Sequence, residues 1–247
     1  VMTSFSDLIK CATSETVLDS FSKGVTVLSR LPSYEKAICG ISGGSDSDIM
    51  LDMIRKIDPN GEKVDFVTFD TGLEYAATKE HIEFLEHKYN CKIDKVKAVK
   101  TIPQSCKEYG IPWFSKYVSE MMSRLQAHNF QWEDEPFEVL LERYPRCRAA
   151  LKWWCNENKE VINKKTGQPR KSSYNINRNN LLKEFIIANP PKFKISNACC
   201  YWAKKLPAQQ YIKNNGYTLN IIGVRKAESG IRSVSYKTCF SSANESG

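Results

Sequence analysis

The sequence predicts an α/β fold: a doubly wound, mostly parallel sheet that carries a helical, basic insertion. Two observations support this prediction. Short, β-prone apolar runs alternate with apolar residues at helical spacing over residues 36–110, and polar turns that contain glycine follow the predicted strands. Parallel strands joined by helical crossovers produce this alternation. We expect an N-terminal helical layer over residues 1–35, and an α/β domain over residues 36–247 that includes the insertion at about 111–192.

Composition and charge narrow the classes of partner. The 247 residues include 36 Lys and Arg against 28 Asp and Glu, which gives a formal net charge of +8. A positive excess favours anionic partners, and these include both nucleotides and nucleic acids. The nine cysteines show no regular disulfide spacing, and no hydrophobic signal region or membrane-length apolar run is present. We therefore expect a cytoplasmic protein in a reducing compartment, without a membrane partner and with an oligomeric state that the sequence does not predict.

The first strand–turn–helix segment is the strongest functional signal. Lys36–Ile41 is largely apolar and β-prone, and Ile49–Ile54 has apolar residues at helical spacing. A glycine-rich turn between them aims backbone N–H groups and the positive end of the helix dipole at one point, which suits a phosphate group. The alternative is an ordinary turn that caps the helix with Ser47 or Asp46. The predicted nucleotide-binding residues are Ser42, Gly43, Gly44, Ser45, Asp46 and Ser47, and Asp46 also serves to orient the loop or hold a metal.

Two further predicted strands end in turns of the same kind. Val64–Phe69 is followed by Asp70, Thr71 and Gly72, and Leu219–Arg225 runs into a basic turn. Because ligands bind outside the carboxyl ends of parallel strands, the first two turns should lie side by side. Guanidinium groups bind phosphate or sulfate oxygens in a forked geometry, so the third turn is interpreted as an anion site. Its candidate nucleotide ligands are Gly223, Arg225, Lys226 and Arg232.

The three turns resemble segments of the PP-loop superfamily, in particular its branch of phosphoadenosine phosphosulfate (PAPS) reductase-like proteins. Residues 42–47 are similar to the S-G-G-x-D-S phosphate loop, 70–72 to a D-T-G segment, and 223–232 to a G-[VL]-R-x-x-[EQ]-S-x-x-R segment. The resemblance covers roughly residues 36–100 and 194–240. It implies a PP-loop (adenine nucleotide alpha-hydrolase-like) fold, an ATP or PAPS-type adenine nucleotide as ligand, and sulfur chemistry.

A fourth segment, Cys199–Pro207, resembles the C-C-x-x-x-K-x-x-P segment of iron–sulfur adenylylsulfate reductases and related proteins. That resemblance implies a [4Fe–4S] cluster held by Cys199, Cys200 and Cys239, with Cys155 as the preferred fourth ligand. Family members with a cluster also have a later C-x-x-C, which this sequence lacks.

Three explanations of this departure stay open. The chain is a truncated one, Cys155 or Cys147 completes the ligand set, or the thiols are redox-active or structural and hold no cluster. Among the remaining cysteines, Cys39 is predicted to be a buried apolar residue, and Cys106 carries no functional signal.

The resemblance leaves two reactions open. In a reductase, a thiolate attacks the sulfur of an adenylated sulfate, and a thiol donor completes the reduction to sulfite. In an ATP pyrophosphatase, an acceptor attacks the α-phosphate, Mg²⁺ steadies the departing pyrophosphate, and sulfur replaces the activated oxygen. The candidate catalytic residues are Cys239, Asp46 and Arg232, and a thiol or sulfur donor protein is the expected partner. A non-catalytic nucleotide-binding module is the third alternative.

The predicted insertion has a composition of its own. It contains four of the five tryptophans, and basic residues outnumber acidic ones severalfold between Arg143 and Lys205. Aromatic residues interleaved with Lys and Arg suit nucleic acid, which would serve as an acceptor or as a partner. The alternative is a solvated face of a protein with a net positive charge.

Overall fold

The computed structural model describes residues 10, 13–159, 161–162, 167–170, 172–179 and 181–223. Contacts between residues divide the chain into two compact units, Val1–Thr101 with Ala203–Gly247, and Ile102–Trp202. The first unit carries a parallel sheet, and the second consists largely of helices. The insertion predicted at about 111–192 falls within the second unit.

The described residues form the following elements in chain order. The strands are β1 (Ala37–Gly40), β2 (Val64–Asp70), β3 (Ile93–Lys97), β4 (Val161–Ile162), β5 (Pro169–Arg170) and β6 (Leu219–Ile221). The helices are α1 (Glu15–Leu28), α2 (Ser45–Ile57), α3 (Ala76–Tyr89), α4 (Ile102–Tyr109), α5 (Lys116–Gln126), α6 (Phe137–Arg143), α7 (Arg148–Trp154), α8 (Leu182–Ala188) and α9 (Leu206–Asn214). Short 3₁₀ turns occupy Leu31–Ser33, Pro145–Cys147 and Ile176–Arg178, and Tyr201–Lys205 is π-helical.

The sheet of the first unit has four parallel strands in the order β3-β2-β1-β6. Apolar residues hold the strands in register: Cys39 of β1 lies opposite Phe66 of β2 and Ile221 of β6, and all three are buried. Strands buried on both faces contain such nearly continuous apolar runs. The α/β architecture with a parallel sheet and flanking helices confirms the predicted fold class.

Helix α1 packs against α2 in the first unit. A Cβ on Gly24 would lie 2.2 Å from Met53 Cε, so glycine allows this close approach of the two helices. Leu28 and Leu31 join the buried cluster that also contains Ala37 of the first strand. Residues of the predicted N-terminal helical layer therefore contribute to the core beneath the sheet.

The second unit is built around buried aromatic and aliphatic residues of its helices. Trp153, Trp154 and Leu151 of α7 are almost completely buried and pack with Leu140 of α6 and Met122 of α5. A two-stranded antiparallel ribbon, β4 with β5, adds to these helices. Burial of the two tryptophans shields this core from water, with the Trp154 indole N–H bonded to the Glu133 carbonyl oxygen at 2.9 Å.

The start of α2 differs from the alternative in which Ser47 or Asp46 caps the helix. Gly44 is the N-cap residue, in extended conformation, and the helix begins at Ser45. The hydroxyl of Ser47 instead donates back to the Gly44 carbonyl oxygen within the first turn. The cap residue named in that alternative was wrong, because Gly44 occupies the cap position and leaves Ser47 and Asp46 inside the first helical turn.

Candidate functional site

The loop between β1 and α2 is held in shape by Ser47. Its hydroxyl is buried, donates to the Gly44 carbonyl oxygen at 2.7 Å and accepts the Ser42 N–H at 3.3 Å. The Ser42 and Ser47 hydroxyl oxygens also lie 3.3 Å apart. Ser47 therefore positions the loop, while the N-terminus of α2 directs its partial positive charge to the same place.

The two glycines of this loop are needed for different reasons. Gly43 has a φ of +74°, and a Cβ there would lie 3.0 Å from Thr78 Cγ2 of α3. Gly44 has ordinary extended backbone, and the nearest atom to an added Cβ would be Ser42 Oγ at 3.6 Å. The fold thus requires glycine at position 43 but has room for a side chain at position 44. A need for glycine at position 44 would come from a bound ligand.

The turn after β2 is organised by its own side chains. Asp70 Oδ1 accepts the Gly72 N–H at 2.9 Å, and the hydroxyl of buried Thr71 donates to Glu74 Oε1 at 2.6 Å. Lys79 of α3 approaches the other Asp70 oxygen at 3.8 Å. These bonds fix Asp70 and Glu74 at the carboxyl end of the strand, where α/β proteins bind ligands.

The structure brings the first two predicted turns together in one cavity of about 370 Å³. This volume is within the range of small-molecule sites. Ser42 of the first turn and Asp70 of the second both line it, at the carboxyl ends of β1 and β2. Its complete lining is Gly40, Ile41, Ser42, Thr68, Phe69, Asp70, Glu74, Thr78, Lys79, Ile82, Glu83, Lys95 and Lys204.

Charged residues of the cavity differ in their pairing. Lys79 lies near Asp70, and Lys95 of β3 lies 3.5 Å from Glu83 of α3. Lys204 also lines the cavity, and no carboxylate of the described residues pairs with it. An ammonium group without a carboxylate partner among the described residues, in a cavity that Ser42 of the glycine loop also lines, favours an anionic ligand.

The third predicted turn is described only as far as its first residue. A Cβ on Gly223 would lie 3.3 Å from the Asp46 carbonyl oxygen and 3.4 Å from Met50 Cγ of α2. The chain after β6 therefore passes directly beside the start of α2. The candidate residues Arg225, Lys226, Arg232 and Cys239 lie outside the described residues.

One relationship at the site was not anticipated from the sequence. Asp48 Oδ2, in the first turns of α2, lies 2.6 Å from Nε2 of His81 on α3. The second oxygen, Oδ1, is buried and has no hydrogen-bond partner within the described residues. The signal for this pair in the sequence is an Asp and a His near the starts of two consecutive predicted helices. This signal is weak, because nothing in the sequence fixes how the two helices face each other.

Comparison with known proteins relates strands β1, β2 and β3 and the loops between them to a known family. The model of the phosphoadenosine phosphosulfate reductase domain matches residues 36–138. Over this segment the chain is similar to the PAPS reductase domain family. The match begins just before β1 and includes the loops that line the cavity from β1 and β2.

A relative extends the comparison beyond this PAPS reductase domain. Over 149 residues the chain is 28% identical to "Uncharacterized protein MJ0066" of Methanocaldococcus jannaschii. The match takes in 56% of this chain and 30% of that protein, so the chain spans less than a third of its relative's length.

Cys199 and Cys200 of the second unit have a neighbouring thiol, Cys106 of α4, which the sequence did not reveal. Cys106 lies within the segment that the family model matches. Burial raises the pKa of the Cys199 thiol to about 11, and the nearby thiols of Cys200 and Cys106 act in the same direction. The stacked rings of Tyr109 and Trp202, 5.5 Å apart, hold α4 against the residues that follow Cys200. Cys106 carried no signal because its closeness to Cys199 arises from the fold and not from spacing along the chain.

The described residues give no support to the predicted iron–sulfur ligand set. No group of three or more His, Cys, Asp or Glu side chains in the described part of the chain is arranged to hold a metal ion. Cys155 lies instead among Asp134, Glu138 and Lys183, beside a second cavity. Burial raises the pKa of the Cys155 thiol to about 11. Cys239, which the predicted set also needs, lies outside the described residues.

Over the residues that the structure describes, no helix is both long and apolar enough to cross a bilayer.

Proposed function

We propose that this chain is a PP-loop enzyme that binds an adenine nucleotide in the cavity at the ends of β1 and β2 and performs sulfur chemistry on it. The reaction that we place first is reduction of an adenylated sulfate, as the PAPS reductase domain suggests. The single observation that supports nucleotide binding most strongly is the cavity itself. Ser42, the first residue of the glycine loop, lines it together with Asp70 and Glu74 of the turn after the neighbouring strand.

The residues that line the cavity include groups that suit each portion of such a nucleotide. Ile41, Phe69 and Ile82 supply apolar surface that suits a base, while Ser42 and Lys204 supply groups that suit phosphate oxygens. Asp70 and Glu74, fixed by their own hydrogen bonds, are acceptors for ribose or base donors. This assignment of lining residues to the base, the phosphates and the ribose follows from the chemistry of their side chains.

The residues that we propose for the reaction are acidic, basic and thiol residues at positions that match the motifs of the resembled family. In a reductase, a thiolate would attack the sulfur of the sulfuryl group, the bond from sulfur to the phosphate oxygen would break, and a second thiol would release sulfite and leave a disulfide. Cys239 is the proposed nucleophile, and Arg225, Lys226 and Arg232 are the proposed anion ligands. Asp46, in the first turn of α2, is the proposed orienting residue of the phosphate loop.

An ATP pyrophosphatase is the second candidate, and the loop sequence favours it. Residues 42–47 read S-G-G-S-D-S, which is closer to the pyrophosphatase form of the loop than to the reductase form. In that reaction an acceptor attacks the α-phosphate and pyrophosphate leaves with Mg²⁺. Asp46 and Asp70 are the carboxylates of the predicted loops that we propose as ligands of such a cation.

Calorimetry and product analysis test the proposal and separate the two reactions. The chain is titrated with ATP–Mg²⁺, with PAPS and with adenylylsulfate, and each mixture is then assayed for sulfite with a dithiol reductant and for pyrophosphate without one. Sulfite supports the reductase, and pyrophosphate supports the second candidate. Failure of all three nucleotides to bind at millimolar concentration would refute the nucleotide site.

A further inference from the structure

Four aromatic side chains of the Ile102–Trp202 unit come together at its surface. The centroid of the Trp113 ring lies 4.4 Å from that of Phe114, 6.1 Å from Phe185 and 5.5 Å from Phe193. Phe114, Phe185 and Phe193 are 56%, 47% and 42% exposed. These four residues are called the aromatic patch. Exposed apolar side chains in mutual contact mark interaction surfaces more often than isolated ones do.

Buried groups fix the first half of the patch. The Trp113 N–H donates to the Ser119 hydroxyl oxygen at 2.8 Å, and the same hydroxyl approaches the Trp113 carbonyl oxygen at 2.7 Å. Ser119 is completely buried. The next residue, Phe114, has a φ of +57°, a conformation that bulky side chains rarely adopt. The structure therefore holds Phe114 in an exposed position by hydrogen bonds to the residue before it.

The second half of the patch is fixed in a similar way. The side-chain amide of Gln126 donates to the Phe193 carbonyl oxygen and accepts the Ile195 N–H, both at 2.9 Å. A Cβ on Gly110 would lie 2.4 Å from the Lys194 carbonyl oxygen, so glycine allows the two aromatic segments to meet. Surfaces held in place before binding lose less conformational entropy when a ligand arrives.

The surroundings of the patch are basic. The Ile102–Trp202 unit contains 16 Lys and Arg against 10 Asp and Glu, which is most of the net charge of the chain. Lys192 and Lys194 flank Phe193 along the chain, Lys116 follows shortly after Phe114, and all three are exposed. One exposed carboxylate, Glu184, is adjacent to Phe185 and opposes this charge.

We propose that the aromatic patch is a stacking platform for single-stranded nucleic acid. Its bases would stack on Phe114, Phe185 and Phe193, and its phosphates would contact Lys192 and its neighbours. Flat rings in a basic field match this ligand, because every base has a face that stacks and every nucleotide carries a negative charge. The inference stands independently of the nucleotide site, because every residue that it uses belongs to the second unit.

Fluorescence anisotropy with labelled single strands tests the proposal. The full chain is titrated into oligothymidylate and into oligouridylate of about 16 nucleotides, with a duplex of equal length as the comparison. We expect at least one single strand to bind more tightly than the duplex, and Phe114→Leu and Phe193→Leu each to weaken that binding about tenfold. Oligodeoxyuridylate, which has the base of one strand and the sugar of the other, then separates a preference for the sugar from an effect of the thymine methyl group.

The substitutions are chosen to separate stacking from other contacts. Leucine keeps apolar bulk but has no ring face, so unchanged binding in both leucine variants would overturn the platform. Lys192→Ala should lower the slope of log K against log salt by about 0.7, and Glu184→Gln should tighten binding. Phe84→Leu, which removes an exposed ring from α3 of the other unit, is the matched control and should leave binding unchanged.

Two results would replace the proposal. Absence of single-strand binding by the unchanged protein at about 0.1 M salt would exclude the site. Conversion of an oligomer to a monomer by Phe114→Leu, seen by sedimentation without any change in oligonucleotide affinity, would assign the patch to contact between copies of the chain. Lys192→Ala and Glu184→Gln change exposed side chains only, so they keep the test decisive if a leucine variant fails to fold.

Discussion

Asp48 of α2 and His81 of α3 are joined by a 2.6 Å contact between a carboxylate oxygen and Nε2. The two helices follow the first two strands of the sheet, and the turns that precede them both line the cavity. The contact therefore ties together the elements that carry the phosphate loop and the Asp70 turn. Phe84, stacked on His81 at 5.9 Å between ring centroids, supports the imidazole from its own helix.

Substitution of His81 should lower the free energy of unfolding, because Asp48 then loses its partner. In His81→Ala the carboxylate loses its partner, and its other oxygen is already buried without a hydrogen bond among the described residues. We expect the free energy of unfolding to fall by about 1 kcal/mol, since both side chains keep some contact with water. Urea denaturation measures the loss. In a double-mutant cycle with Asp48→Asn, strictly additive losses would show that the pair makes no coupled contribution.

The glycines of the phosphate loop should separate folding from ligand binding. Gly44→Ala places a Cβ at an ordinary contact distance within the protein, so its Tm should stay close to that of the unchanged chain. In the proposed nucleotide complex the same Cβ would lie where phosphate oxygens approach the helix N-terminus, so the affinity for ATP or PAPS should fall tenfold or more, about 1.4 kcal/mol.

Gly43→Ala provides the contrast for this experiment. Its positive φ and the nearby Thr78 methyl group strain the loop itself, so we expect a loss of stability of about 1 kcal/mol together with weaker binding. Calorimetry and thermal unfolding of both variants make the comparison. Full affinity for both nucleotides in Gly44→Ala would remove the phosphate loop from the binding site.

Lys204 should contribute to nucleotide affinity, and Lys205 should not. Lys204 lines the cavity without a carboxylate partner in the described part of the chain, whereas the exposed Lys205 next to it is not part of the lining. Loss of a charged hydrogen bond costs about 1.5–3 kcal/mol, so Lys204→Ala should raise Kd at least tenfold. Lys205→Ala changes the net charge equally and is the matched control. Equal effects of the two substitutions would indicate long-range charge in place of direct contact.

Much of the first unit could be predicted from its sequence because the signals are local. The strand predicted at Val64–Phe69 appears as Val64–Asp70, and the strand at Lys36–Ile41 appears as Ala37–Gly40. In both, a short apolar run is stopped by a polar turn, and the run alone determines the element. Strand β3, Ile93–Lys97, lies in the same alternating region and pairs along its whole length with β2.

The parts that the sequence did not predict depend on how separate elements pack. The pairing of Asp48 with His81, the place of Lys204 in the cavity and the closeness of Cys106 to Cys199 all join residues that are far apart in the chain. The N-cap at Gly44, in place of the alternative at Ser47 or Asp46, likewise could not be read from the sequence, and the Ser47 hydroxyl donates inside the loop. None of these relations leaves a periodic or spaced pattern in the sequence.

The Cys199 thiol should be unreactive at neutral pH and become reactive only in strongly alkaline solution. Burial raises its pKa to about 11 from an ordinary value of 9.0, so the folded chain holds the proton through the range in which an unfolded chain would lose it. Because the thiolate is the nucleophile, alkylation by iodoacetamide should accelerate as the pH rises through 11 in the folded protein and through 9 after unfolding. Mass spectrometry of peptides from timed reactions measures both profiles, and Cys200→Ser isolates Cys199.

The same raised pKa stabilises the fold below pH 9 relative to higher pH, and this contribution is lost as the pH approaches 11. A Cys199 thiol that reacts fully at pH 7 would contradict the protonated state that burial predicts for it.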